Sequence, residues 1–259
     1  MSKARPLAGK RILVTRARHQ SGQLSAELIK SGAETIEIPA IEILPPKSFE
    51  PLDEALQHPD RYQWLIVTSV NSVRTMRERC AALGIASEGL RVWDVAAVGA
   101  NTAHALEEWG VKPTVTPKEY VAESLVETLS DKAQGKRVLI VRAAAARDVI
   151  PEALRKRGAD VTITEAYRTV IPESSVKRVA ELFAGEPPDA VTFTSSSTVT
   201  NFFQLLHAAG FNDRPQNMRA ISIGPITSQT LREQGWEPVA EADPHDVAGL
   251  VAAAVRVLA

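Results

Sequence analysis

Gly9-Lys10-Arg11-Ile12-Leu13-Val14-Thr15-Arg16-Ala17 returns as Gly135-Lys136-Arg137-Val138-Leu139-Ile140-Val141-Arg142-Ala143, with six of nine positions identical and 126 residues between the copies. The apolar run at the heart of each copy shows no polar alternation, as a parallel strand covered on both faces requires. The same spacing relates Gly32-Ala33 to Gly158-Ala159, Thr68-Ser69 to Thr194-Ser195, and Gly84 to Gly210. It falls to 125 for Gly99 and Gly224, for Gly110 and Gly235, and for Pro113 and Pro238, as one deleted loop residue would produce. A period this long is no solenoid repeat; it reads as duplication of a half-chain unit.

Each half carries three such runs. They are Ile12 to Thr15, Trp64 to Thr68 and Val95 to Val98, then Val138 to Val141, Ala190 to Thr194 and Ala220 to Ile223. Helical spacing follows them: Leu24 and Leu28, then Val73, Met76, Cys80 and Leu83, then Phe202, Phe203 and Leu206. These helices are expected to stop at Gly32, Gly84, Gly110, Gly158, Gly210 and Gly235, where positive φ closes the last turn. Strand–helix alternation with short connections gives a doubly wound parallel sheet, and the repeat makes two of them. Ile38 to Ile43 and Thr164 to Val170 occupy equivalent places and read as extended connectors, each leading into proline. Periodicity does not say which pieces share a lobe.

The 259 residues are enough for one large or two small domains, and 44% hydrophobic with 24% charged residues is ordinary globular composition. A net charge of -1 supplies no bulk field for nucleic acid, so an anionic ligand must be met by local groups. The single Cys80 rules out an intrachain disulfide and fits a reducing compartment. Met1 to Lys10 lacks the apolar stretch of a signal peptide, and Leu250 to Val255 is too short to span a bilayer. A cytoplasmic protein with no membrane partner is expected, and a monomer, since no apolar stripe is left obviously uncovered.

Ligands of open α/β sheets bind beyond the carboxyl ends of the strands. Those tips read Thr15-Arg16, Thr68-Ser69-Val70-Asn71-Ser72, Gly99-Ala100-Asn101-Thr102, Arg142-Ala143, Thr194-Ser195-Ser196-Ser197-Thr198 and Gly224-Pro225-Ile226-Thr227-Ser228. Hydroxyls, Asn and Gly dominate, with one Arg at the first tip of each half and no Asp or Glu. Backbone N–H groups at helix starts, small side chains and the positive dipole end suit carboxylates or phosphates. The plainer reading is that Ser, Thr and Asn are helix N-caps, although capping needs one such residue per helix and Ser195 to Thr198 offers four. Neither G-x-G-x-x-G nor G-x-x-x-x-G-K-[ST] occurs. The histidines His19, His58, His104, His207 and His245 lack metal-site spacing, and Cys80 lies on an apolar stripe as a core residue would. No strand ends in paired carboxylates, which argues against a glycosidase. Tyr167 stands where the first half has Ile41. A lone Tyr there is either packing or a phenol that stays protonated at neutral pH and donates a hydrogen bond. Arg168 beside it alternates to the other side of an extended strand.

The sequence resembles the uroporphyrinogen-III synthase family of the haem, sirohaem and cobalamin pathways over essentially its whole length. The carrying motifs are Val14-Thr15-Arg16 followed by Gln20, Pro39-Ala40-Ile41-Glu42-Ile43, Ile66-Val67-Thr68-Ser69-Val70-Asn71-Ser72-Val73, Ala97-Val98-Gly99-Ala100-Asn101-Thr102-Ala103, Gly135-Lys136-Arg137-Val138-Leu139, Glu165-Ala166-Tyr167 and Ile223-Gly224-Pro225-Ile226-Thr227-Ser228. Each is weak alone; their order and spacing together are specific. The resemblance implies two similar doubly wound, flavodoxin-like lobes, one from about 1–38 plus 172–259 and the other about 45–165. Linkers at 39–44 and 166–171 would pair as a two-stranded β-ladder between them.

It further implies a cofactor-independent lyase, with neither metal nor organic cofactor, that closes hydroxymethylbilane with loss of water and inversion of the last ring. Hydroxymethylbilane is a linear tetrapyrrole with eight carboxylates, and a cleft between the lobes would fold it into one near-attack geometry. Tyr167 matches the family tyrosine thought to help the terminal hydroxyl leave. Arg16, Thr68, Ser69, Asn71, Ser72, Thr102, Arg142, Ser195, Ser196, Ser197, Thr198, Gly224, Pro225 and Thr227 are the expected substrate-holding positions, Thr102 and Thr227 being symmetry mates. A transient contact with the preceding pathway enzyme completes the expected partners. A non-catalytic two-lobed sensor of small anions would show the same neutral strand tips and is the rival reading; a two-lobed glycosyltransferase is a weaker one.

Overall fold

The computed structural model describes residues 5–16, 18–117, 122–129 and 131–259, without the side chains of 18–21, 122 and 123. Ala17, and the side chains of His19 and Gln20 named above, lie outside the described residues. In chain order the elements are β1 (Arg11–Val14), α1 (Arg18–Lys30), β2 (Glu34–Glu37), β3 (Glu42–Leu44), α2 (Glu50–Gln57), β4 (Trp64–Val67), α3 (Val70–Leu83), β5 (Asp94–Ala97), α4 (Ala100–Glu108) and α5 (Ala122–Leu129). They continue as β6 (Arg137–Ala143), α6 (Val149–Lys156), β7 (Asp160–Val170), α7 (Glu173–Ala184), β8 (Ala190–Phe193), α8 (Ser196–Ala208), β9 (Arg219–Ser222), α9 (Pro225–Glu233), β10 (Ala240–Glu241) and α10 (Val247–Leu258). All six apolar runs of the sequence are strands. The six glycines marked as helix stops all have positive φ. Gly84 shows why: at φ 71°, ψ 23° its N–H reaches back to the carbonyls of Cys80 and Ala81 and closes α3.

The chain divides into two compact units, Met1–Glu42 with Val170–Ala259, and Ile43–Thr169. The first holds a sheet ordered β10-β9-β8-β1-β2, the second a sheet ordered β3-β7-β6-β4-β5. Ladders β1–β2, β1–β8, β8–β9 and β9–β10 are parallel, as are β4–β5, β4–β6 and β6–β7. The registers repeat at the offset seen in the sequence. Arg11 faces Glu34 as Arg137 faces Asp160, and Ile12 faces Ala190 as Val138 faces Trp64. Even the two-residue β10 has its echo, since Ile221–Ala240 is matched by the isolated parallel bridge Ala96–Val115.

Unbroken apolar runs make sense in this setting because both faces of each sheet are covered. In the first unit Ile12, Val14, Ala190 and Ile221 point into a core with α1 and α10. Leu13, Val191, Phe193 and Ala220 point the other way, onto α7, α8 and α9. In the second unit Leu65, Val67, Leu139 and Val141 meet α2, α3 and α4, while Trp64, Ile66, Val138 and Ile140 meet α5 and α6. Period-two alternation thus serves two cores rather than one core and solvent.

Two expectations need correction. The connectors are not alike: Thr164 to Val170 is the end of one eleven-residue strand, β7, whereas the first-half stretch is broken between β2 and β3. The break holds Pro39, which has no N–H for a ladder and a fixed φ. Glu165 at the equivalent place keeps its N–H, and the strand passes through with a register shift against Arg142 and Ala143. The short β3 lies beside β7 at the edge of the second sheet. Nor are the strand ends free of acid. Glu37 ends β2 and Glu241 ends β10, and each is held by a buried serine, Ser25 and Ser228 respectively. Both strands escape a search for apolar runs because β2 has one apolar residue, Ile36, and β10 is two residues long.

Candidate active site

In the second unit, β4 ends at Val67 and Thr68-Ser69 turns the chain into α3. Ser69 is the N-cap in extended conformation, and its Oγ accepts the Ser72 N–H at 3.1 Å. The same Oγ lies 3.0 Å from the Ser72 hydroxyl and 3.1 Å from the phenol oxygen of Tyr167 on β7. Ser72 is fully buried; Thr68, Ser69, Asn71 and Tyr167 are half-buried. Arg168 alternates away from Tyr167, and its Nε donates to the Pro45 carbonyl at 3.0 Å. Tyr167 also lines a cavity of about 260 Å³ with Ile43, Leu44, Pro45, Phe49, Arg74, Thr75, Glu78 and Ala166. At the next tip Gly99 is the N-cap of α4, and the Thr102 side chain is buried one turn in.

Arg142, at the end of β6, is buried and already engaged. It donates from one guanidinium nitrogen to the Arg147 carbonyl at 3.0 Å and from another to Asp148 Oδ1 at 2.6 Å. Its guanidinium therefore holds the loop between β6 and α6 in this conformation.

The first unit repeats the capped turn. Ser195 accepts the Thr198 N–H at 3.2 Å and lies 2.8 Å from the Thr198 hydroxyl and 2.9 Å from that of Ser197. Ser196 Oγ donates to the Ile226 carbonyl at 3.3 Å, tying the α8 start to the α9 start. Thr15, Arg16, Ala40, Ile41, Thr194, Ser195, Ser197, Thr198 and Asn201 line a cavity of about 210 Å³. The sequence thus brings Arg16 together with most of the Ser195 to Thr198 run. Asn201, one turn into α8, was not anticipated; its i, i+3 and i+4 spacing from Thr198 and Ser197 was the available signal. Gly224 is the buried N-cap of α9, Pro225 opens the helix, and Thr227 is buried. A Cβ on Gly224 would stand 3.3 Å from the His245 ring, so the turn leaves little room for a side chain. His245 is a neighbour that sequence spacing did not point to.

The chemistry available is mainly that of neutral donors, with N–H groups at four helix starts, hydroxyls and one phenol, beside the cationic Arg16 and the Arg74 and Glu78 that line the Tyr167 cavity. Cys80 is no nucleophile, since burial, with a smaller push from the Asp53 charge, raises its thiol to about 11. Among the described residues no group of three or more His, Cys, Asp or Glu could hold a metal ion.

A family model described as uroporphyrinogen-III synthase HemD matches residues 22–252. A Synechococcus elongatus protein named uroporphyrinogen-III synthase is 36% identical over 257 residues, covering 96% of this chain and 95% of that one. A Methanothermobacter thermautotrophicus protein named putative uroporphyrinogen-III synthase is 32% identical, over 86% of this chain and 88% of its own. Among solved structures, a mutant uroporphyrinogen III synthase of Thermus thermophilus superposes with a TM-score of 0.71 at 22% identity, covering 96% of this chain and 99% of its own. The Helicobacter pylori uroporphyrinogen-III synthetase gives 0.57 at 19% identity, covering 96% and 99%. These two likenesses speak for the fold.

Proposed function

Because the chain belongs to the uroporphyrinogen-III synthase family, we propose that the donors on the carboxyl edge of each sheet hold hydroxymethylbilane while it closes to uroporphyrinogen III. The observation that carries the reading is the family match across residues 22–252. The sensor alternative finds no support in the comparisons. The local chemistry fits a polyanion met by a protein of net charge -1: each carboxylate is taken by N–H groups and hydroxyls at a helix start, and by Arg16.

In the reaction the terminal C–O bond breaks and oxygen leaves as water. The last ring inverts by breaking the carbon–carbon bond to its neighbouring methylene bridge and re-forming it at the ring's other α carbon; closure adds the bond to the terminal methylene that lost its oxygen, and the ring releases a proton. Tyr167 is the group placed to give a hydrogen bond or a proton to the departing oxygen. The Ser69 and Ser72 hydroxyls stand behind it. Most of the rate comes from holding a flexible chain in one geometry, since the free bilane closes by itself to the uninverted isomer. Thr102 and Thr227, symmetry mates buried one turn into their helices, keep the substrate-holding role in this reading.

The working unit is one chain in the cytoplasm. No helix of the described residues is long and apolar enough to cross a membrane. The test is to supply hydroxymethylbilane, oxidise the products and separate the porphyrin isomers. An excess of the inverted isomer is expected; an isomer ratio at its spontaneous value refutes the reading.

A further inference from the structure

Ser69 does more than cap α3. Its hydroxyl has one proton and two lone pairs and meets three groups: the Ser72 N–H at 3.1 Å, the Ser72 hydroxyl at 3.0 Å and the Tyr167 phenol at 3.1 Å. The backbone N–H occupies one lone pair. Of the two hydroxyl neighbours, one must therefore receive the Ser69 proton and the other must donate to the second lone pair.

Burial decides the direction. The Ser72 side chain is fully buried, and among the described residues Ser69 is the partner of its hydroxyl. If Tyr167 donated to Ser69 and Ser69 to Ser72, the Ser72 proton would be left in the interior without an acceptor, an arrangement that costs the full desolvation of that donor. The opposite sense satisfies every group: Ser72 donates to Ser69, and Ser69 donates to Tyr167. The phenol oxygen then accepts, and its own proton is free for another acceptor.

The first unit shows what the cap needs when no phenol is present. Ser195 accepts the Thr198 N–H and meets the Thr198 hydroxyl as Ser69 meets Ser72; its third neighbour is the Ser197 hydroxyl at 2.9 Å, and the position equivalent to Tyr167 is Ile41. Capping a helix in this fold calls for no tyrosine, so the Ser69–Tyr167 contact is an addition specific to the second unit.

We infer that Ser69, oriented by Ser72, is a positioning residue that directs the Tyr167 proton outward and steadies the phenol oxygen once that proton has gone. This rests on the proposed synthase activity and deepens it. The proton itself passes from Tyr167 Oη to the departing oxygen of the substrate; the two serines keep their own protons.

The experiment is a double-mutant cycle on the full chain, scored by initial rate of the inverted isomer. Ser69→Ala should lower kcat about tenfold, a part of the ~100-fold or larger factor usual for a general acid, with KM within about twofold, because the Ser69 hydroxyl is filled by Ser72 and Tyr167 and has no site left for substrate. Ser69→Thr, which keeps cap and hydroxyl, should recover most of that loss. In the Tyr167→Phe background Ser69→Ala should cost nothing further, because its target is gone. Melting curves of each variant separate a lost cap from a lost rate. If the losses multiply in the double variant, or if Ser69→Ala raises KM and spares kcat, Ser69 does not act through Tyr167. Were Ser69→Ala to fall in rate only as far as it falls in folded fraction, the residue would be a cap alone. A parent protein that yields no excess of the inverted isomer would instead refute the synthase reading itself.

Discussion

Replacing Tyr167 by phenylalanine removes one oxygen and keeps the ring, which lets chemistry be separated from packing. Among the described residues that oxygen makes one neutral hydrogen bond, to Ser69 at 3.1 Å in a half-buried setting. Such a bond contributes about 0.5–1.5 kcal/mol net. Because the ring stays in place against the core of α2, α3 and α4, no cavity opens. A loss of that size lowers the melting temperature of a protein this long by no more than about 6 °C. The rate should fall much further. A positioned general acid contributes about 100- to 10,000-fold, or about 3–5 kcal/mol of barrier at 1.36 kcal/mol per tenfold. Turnover is read as inverted isomer formed above the spontaneous background, and folding by melting in the same buffer. Turnover within about threefold of the parent removes Tyr167 from the mechanism. A melting temperature that collapses would show the hydroxyl to be structural.

Arg16→Ala should weaken substrate holding more than it destabilises the first unit, raising KM roughly tenfold or more, as loss of a hydrogen bond to a charged partner does; equal losses in affinity and melting temperature would make Arg16 a structural group. Cys80 carries a pH dependence of known sign. Its thiol titrates at 9.0 when unperturbed and is pushed to about 11 by burial, so the folded state holds that proton more tightly. The stabilisation is complete below pH 9 and is lost as pH rises towards 11. Denaturant midpoints should therefore decline across that window less steeply in Cys80→Ala, whatever its constant cavity cost, and an unchanged slope would refute the assignment. The thiol should also resist alkylation at pH 8 until the protein is unfolded.

What the residues disclose in advance follows from where their partners lie. Ile12-Leu13-Val14 and Val138 to Val141 announce buried parallel strands because burial on both faces is written in the local run. Gly84 announces a helix end because the constraint is local as well. Glu34 to Glu37 and Ala240-Glu241 do not stand out, being polar, short and at sheet edges. Pro39 is a strand breaker by its chemistry, yet its equivalence to part of β7 in the repeat suggests a continuous connector. At the site, the hydroxyl-rich helix starts are visible, and the Ile41–Tyr167 asymmetry marks a position where a phenol stands in place of an aliphatic. The Ser69–Tyr167 contact spans 98 residues of sequence and the Arg142–Asp148 pair depends on a loop conformation. Neither geometry is encoded in spacing. The burial of Ser72 and Thr102 is hidden too, since a hydroxyl near a helix start reads the same whether it faces water or the interior.

The split composition of the first unit has a consequence for biosynthesis. β1 is a central strand, yet its neighbour on one side is β8, and Ile12 must wait for Ala190 to be made before that ladder can form. Ile43–Thr169, by contrast, is contiguous and brings its own four-strand parallel core. During vectorial synthesis the amino-terminal strand–helix–strand leaves the ribosome as an unfinished half-sheet with an open edge. It must stay out of trouble while more than a hundred residues of the other unit emerge and collapse.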